Sequence, residues 1–236
     1  MVLIGTVVNG AAIVIAALIG LLVKNIPERV KTTVMQAIGL AIVLLGVKMG
    51  LQTEQFLIVI CSLVIGGVIG EILNLEKRLD HLGRWVERKV GGKKDGSIAT
   101  AFVTTTLIYV VGAMAVLGAL DSGLRGDHSV LLTKALLDGF LAILFTSTLG
   151  IGVLFSAIPV VLYQGSIALF ASQIDQYVPT ALMDSFITEM SATGGVMIVA
   201  IGLNLLNVVN IRVANLLPSL VIVAVLVTFV YKGFPF

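Results

Sequence analysis

Glu189 and Thr193 stand one helical turn apart in the run EMSATGG, which ends in Gly194 and Gly195. A carboxylate, a hydroxyl and glycine-exposed carbonyls are the hard oxygen ligands a small cation takes. Their i, i+4 spacing puts the two side chains on one helix face. The alternative is a glutamate that only caps or hydrates a helix end, because it lies near the outer start of its span. Asp138 sits deeper in an apolar run, with Lys134 one turn before it. The two read as an ion pair whose lysine snorkels to the outer face, and Asp138 is the next carboxylate able to bind an ion. Asn9, Gln36, Asn204 and Asn207 are amides in apolar surroundings. Amides bind polar solutes, but more commonly they hydrogen-bond helices to one another. Tyr163, Gln164 and Ser166 fall near mid-span just past Pro159, a depth from which glutamine cannot snorkel. Thr104, Thr105 and Thr106 either face the same cavity or bond their own i−4 carbonyls. Glu71 reads as interfacial, near Lys77 and Arg78. His81 and His128 lie in loops with no metal-ligand spacing, and the single cysteine, Cys61, allows no disulfide. No catalytic residue, metal site or cofactor is expected beyond a coupling ion, sodium or proton.

The elements that must hold these groups are membrane spans. Of 236 residues 58% are hydrophobic and 12% charged, with a mean hydropathy of +1.11. That is about half the charge of a soluble domain, and long apolar runs recur throughout. The expectation is an all-α polytopic membrane protein of about eight helices, one integral domain over residues 1–236. The spans are Val2–Val23, Thr33–Met49, Phe56–Leu73, Ile98–Leu120, two within Leu136–Ala171, Phe186–Val208 and Leu216–Tyr231. The first run begins without a basic leader region and reads as a span rather than a signal peptide. Leu136–Ala171 would extend roughly 54 Å as one helix against a hydrocarbon core of about 30 Å. It must break, and Gly150, Gly152 and Pro159 mark where. Two spans with a tight turn are expected, with a re-entrant pair as the alternative.

Charge sets the orientation. The connection Asn74–Asp95 carries Lys77, Arg78, Arg84, Arg88, Lys89, Lys93 and Lys94, so it is cytoplasmic by the positive-inside rule. Its Leu75, Leu79, Leu82, Trp85, Val86 and Val90 recur at helical spacing, as in a helix lying on a membrane surface. Lys24, Arg29 and Lys31 also face in, whereas Asp121–Ser129 and Gln173–Asp184 face out, which leaves both termini outside. The basic cluster is short, mixed with acids and lies between spans, so nucleic acid is not expected as a partner.

An internal match adds a symmetry. Gly39, Ile42, Val43 and Gly46 correspond to Gly195, Ile198, Val199 and Gly202 at one offset, and Thr6 and Gly10 to Thr148 and Gly152 at a shorter one. Triplets of helices at about 2–73 and 150–231 then read as inverted repeats flanking 98–149, with chance similarity as the alternative. Gly66 and Gly70 form a G-x-x-x-G spacing for helix contact or a dimer seam, and a homo-oligomer is expected.

Six motifs stand in order along the chain: Gly5-Thr6-Val7-Val8-Asn9, Met35-Gln36-Ala37-Ile38-Gly39, TLGIGVLFSAIPVVLYQG at Thr148–Gly165, EMSATGG at Glu189–Gly195, GLNLL at Gly202–Leu206 and IRVANLLPSL at Ile211–Leu220. In these the chain resembles the domain-of-unknown-function 554 family of YdfK/YqgA-like bacterial membrane proteins. The resemblance implies a protein of the bacterial inner membrane and transfers no site residues. The expected function is secondary transport of a small polar solute or ion, coupled to a cation or proton, by alternating access. A channel is the alternative, and an enzyme is not expected.

Overall fold

Inside a bilayer every backbone N–H and C=O must be satisfied within the protein, and a helix does so segment by segment. A computed structural model of the chain describes residues 2–22, 28–79, 81 and 97–231. The membrane-surface helix expected across the Asn74–Asp95 connection lies mostly outside them. Among the described residues all regular structure is helical: α1 (Ile4–Leu22), α2 (Glu28–Gly50), α3 (Phe56–Leu73), α4 (Ser97–Val110), α5 (Ala113–Leu124), α6 (Ser129–Leu149), α7 (Gly152–Phe155), α8 (Ala157–Leu169), α9 (Ala171–Tyr177), α10 (Thr180–Leu205), a 3₁₀ turn at Val213–Leu216, and α11 (Ser219–Tyr231). Among the described residues seven segments are long and apolar enough to cross a membrane, and an eighth is formed if the bent pair α4 and α5 counts as one span. The protein is an all-α polytopic membrane protein.

Three boundaries differ from expectation. The fourth span is not continuous: it bends by 59° between α4 and α5. Gly112 caps α5 there at φ +136, a conformation side-chain-bearing residues rarely adopt. The seventh span starts at Thr180 rather than Phe186, just after Pro179, and runs 26 residues. The preceding polar stretch, expected as a loop, contains the short helix α9.

The break in Leu136–Ala171 falls where the glycines are. Gly150 ends α6 at φ +89, its N–H still donating to the Thr146 carbonyl at 3.0 Å. Two residues then turn the chain into α7 and α8, together long enough for one span. Pro159 lies in the first turn of α8, where a missing N–H costs nothing.

Two compact units emerge. One comprises Met1–Glu28 and Asp80–Tyr177, the other Arg29–Leu79 and Val178–Phe236. In the first, α1 packs chiefly on α6 and also on α8, while α4 packs on α7 and α5 on α8. Small residues at the α1–α6 seam let the backbones approach: a Cβ on Gly20 would lie 2.7 Å from the Ile143 carbonyl oxygen, and Gly139 faces Ala12 and Ala16. In the second, α3 packs on α11 and the 3₁₀ turn, and α10 on α11. Here Gly66 and Gly70 face Ser219 and Asn215, so the G-x-x-x-G spacing serves a contact within the chain. Outward faces are apolar: Leu44, Leu136 and Leu162 are exposed, as lipid-facing positions should be.

Candidate functional site

The first unit gathers charged and amide side chains from three helices into one buried chain of hydrogen bonds. Helix α6 supplies Lys134 and Asp138, one turn apart on the same face. The Lys134 ammonium donates to Asp138 Oδ1 at 3.0 Å. From α1, Asn9 Nδ2 donates to Asp138 Oδ2 at 3.1 Å and to Gln164 Oε1 of α8 at 3.2 Å. Asn9 and Gln164 are fully buried, and the Lys134 and Asp138 side chains are only 9% and 5% exposed. Asp138 lies about 14 Å along its 21-residue helix.

This overturns the snorkelling expected of Lys134. A lysine reaches for the interface when lipid offers its ammonium nothing; here a carboxylate one turn away takes the ammonium inside the unit. Tyr109 of α4 is completely buried and lies within the electrostatic reach of Asp138. Thr6 of α1 is buried beside Gly165 of α8: a Cβ on that glycine would lie 3.7 Å from the Thr6 methyl. Among the described residues, Gln164 Nε2, Asn9 Oδ1, Tyr109 OH and Thr6 Oγ1 have no hydrogen-bond partner. Buried polar atoms are normally paired, so unpartnered atoms on both amides of this hydrogen-bonded chain mark a place built to meet something polar.

Glu189 occupies a different setting in the second unit. Its Oε1 accepts the backbone N–H groups of Glu54 (2.9 Å) and Gln55 (3.0 Å), and its Oε2 accepts the Thr53 hydroxyl. Gln55 is the N-cap of α3 and makes no side-chain cap of its own, so a carboxylate from α10 satisfies that helix start. In these contacts the partners all act as donors to the carboxylate. Thr193, one turn on, is fully buried with its hydroxyl unpartnered among the described residues.

The remaining candidates scatter. Asn204 clamps the chain after α10, donating to the Ile211 carbonyl at 2.7 Å and accepting the Ile211 N–H at 2.8 Å. Asn207 turns that same connection at φ +55. Gln36 is exposed on α2, and Tyr163 is half-buried on α8. Thr105 bonds its own i−4 carbonyl, Ala101, at 2.7 Å. Glu71 is more than interfacial: it accepts Arg212 at 2.7 Å and Asn215 at 2.6 Å, fixing the 3₁₀ turn to the end of α3. Thus Asn9, Asp138 and Gln164 come together in the first unit, while Glu189, Gln36 and Asn204 belong to the second. Sequence reasoning missed Tyr109, which a search for hydroxyls in apolar runs would have returned.

A bundle of spanning helices with an ion pair sealed inside one unit belongs to the class of polytopic membrane proteins that carry charge within the bilayer. The chain is a member of the family described as Protein of unknown function (DUF554), which matches residues 4–228. It is 34% identical over 235 residues to the uncharacterized membrane protein YdfK of Bacillus subtilis (strain 168), covering 98% of this chain and 97% of that one. It is 28% identical over 227 residues to the uncharacterized protein YqgA of Escherichia coli (strain K12), covering 93% and 94%. No solved structure matches.

Proposed function

We propose that this protein is a secondary transporter of a small polar solute or ion, coupled to a cation or proton and working by alternating access across a bacterial inner membrane. The observation that carries this reading is the buried chain Lys134–Asp138–Asn9–Gln164. Taking two charges out of water costs several kcal/mol per ion, and apolar residues of similar volume would hold the helices together at least as well. Ionisable groups within spans mark solute paths and proton relays. The broken span at Gly112 fits the same reading, because irregular backbone at membrane depth is tolerated only against protein or a wet cavity.

Glycine packing in the second unit supports the inverted repeat that such a mechanism uses. A Cβ on Gly46 would lie 2.6 Å from the Gly195 carbonyl oxygen, and one on Gly202 would lie 2.9 Å from that of Gly39. The internal match pairs Gly39 with Gly195 and Gly46 with Gly202. Exchanging the partners therefore turns one contact into the other, as a two-fold relation requires. Basic residues in the Asn74–Asp95 connection support a cytoplasmic placement of it, with both termini outside.

The test is flux. Purified protein in liposomes carrying an internal pH dye is offered gradients of small amino acids, carboxylates and polyols. Saturable uptake of one class, lost in Asp138→Asn, is the expected result. Unsaturating single-channel currents that persist in that variant would contradict a transporter and identify a pore.

A further inference from the structure

The hydrogen bonds around Asp138 identify which ion the site takes and which solute accompanies it. Both carboxylate oxygens already face N–H donors: Oδ1 the Lys134 ammonium, Oδ2 the Asn9 amide. The charge on Asp138 dictates the rest. Asn9 must turn its NH₂ toward Asp138, so Gln164 must present Oε1 to Asn9, and Gln164 Nε2 is left without a partner among the described residues. Unpartnered hydroxyls of Tyr109 and Thr6 are fully buried in the same unit. A metal cation would have to displace the N–H donors that already hold both Asp138 oxygens. A proton needs only a lone pair on Asp138.

Protonation has a consequence for Lys134. When a proton bonds to Oδ1, Oδ2 still accepts from Asn9, but Lys134 loses its counter-charge inside the unit. Breaking a buried pair by neutralising one member is strongly unfavourable unless another anion arrives. The titratable groups on the packed elements do not supply one. Helix α1 carries none. Tyr109 on α4 and Tyr163 on α8 are phenols, Asp121 on α5 is paired with Arg125 at 3.3 Å, and His128 at the start of α6 contacts Ser122. We propose that this site binds a small carboxylate together with one proton: the proton neutralises Asp138, and the released Lys134 ammonium, with the Asp138 O–H and Gln164 Nε2, binds the carboxylate. Proton and anion enter as a pair, so the net charge of the site does not change. This names the solute class and coupling ion of the transporter reading and rests on it for transport, though not for binding.

The probe is sodium formate, the smallest carboxylate, with formamide as its uncharged counterpart, acting on the purified full chain. Thermal stabilisation and proton uptake in weakly buffered solution are both followed between pH 5.5 and 7.5. Formate should bind about tenfold more tightly for each pH unit lowered, as linkage to one proton requires, and about one proton should be taken up per formate bound. Asp138→Asn, which imitates the protonated acid, should bind formate at pH 7.5 as well as wild type does in acid, with no pH dependence. Lys134→Gln should lose binding at every pH. Wild-type formate binding without proton uptake, no formate binding in acid, or equal stabilisation by formamide would each overturn the proposal, and these outcomes need no variant to fold. Formate binding with its proton but no flux in liposomes supports the site and contradicts the transporter. Flux that keeps its pH dependence in Asp138→Asn overturns the carboxylate-and-proton site alone.

Discussion

Gly152 meets the backbone of Ile98 so closely that a Cβ on it would lie 2.3 Å from the Ile98 carbonyl oxygen. A Cβ on Gly150, two residues earlier, would meet nothing within 4 Å, but the residue holds φ +89. The two glycines of one short motif therefore do different things: one makes the turn, the other lets α4 approach α7.

Their alanine variants should fail for different reasons. In a straight helix alanine would gain about 1 kcal/mol over glycine. Here Gly150→Ala should lose about 1–2 kcal/mol to left-handed strain, and Gly152→Ala about 1–3 kcal/mol to overpacking. Thermal melting in detergent should place both below wild type. A rise in melting temperature for either would mean that the chain straightens instead.

Glu189→Gln tests the reading its sequence setting invites against the one its contacts support. A cation or proton carboxylate would leave a more stable protein when neutralised. A carboxylate accepting two N–H groups and a hydroxyl should instead lose charge-assisted bonds worth about 1.5–3 kcal/mol each. Differential scanning fluorimetry should therefore show a lower melting temperature for Glu189→Gln, with any ion or pH response of the protein intact. Unchanged stability with a lost ion response would return Glu189 to the centre of the site.

Single cysteines at Lys93 and Gln176, introduced after Cys61→Ser, test the orientation. A membrane-impermeant maleimide applied to intact cells should label Gln176→Cys and spare Lys93→Cys until the membrane is opened. Labelling of both from outside would contradict a cytoplasmic Asn74–Asp95 connection.

The spans were legible because hydrophobic length is a property of each segment, read without knowing its neighbours. The bend at Gly112 was not: Val110-Val111-Gly112-Ala113 reads as an unbroken apolar helix, since one glycine costs only about 1 kcal/mol there. Asn9, Asp138 and Gln164 were each recognisable as polar groups in apolar runs, but only Gln164 stood too deep to snorkel. Asn9 also read as a helix contact and Asp138 as half of a snorkelling pair. Their union was hidden, because it depends on which faces of α1, α6 and α8 meet across sequence separations of 129 and 155 residues. Glu189 misled for a related reason. Its partners are the backbone N–H groups of Glu54 and Gln55, and a backbone donor leaves no trace in residue type.

The central claim is that the Lys134–Asp138 pair is present for transport rather than for packing. The double variant Lys134→Met/Asp138→Leu tests it most directly. Removing one partner of a buried pair costs about 3–5 kcal/mol, whereas replacing both with apolar residues of similar size is neutral or stabilising by about 1–4 kcal/mol. Melting temperature and solute-linked proton flux are measured on the same liposome preparation. The account predicts a protein that melts at or above the wild-type temperature and carries no flux. Wild-type flux in the doubly apolar protein would contradict it.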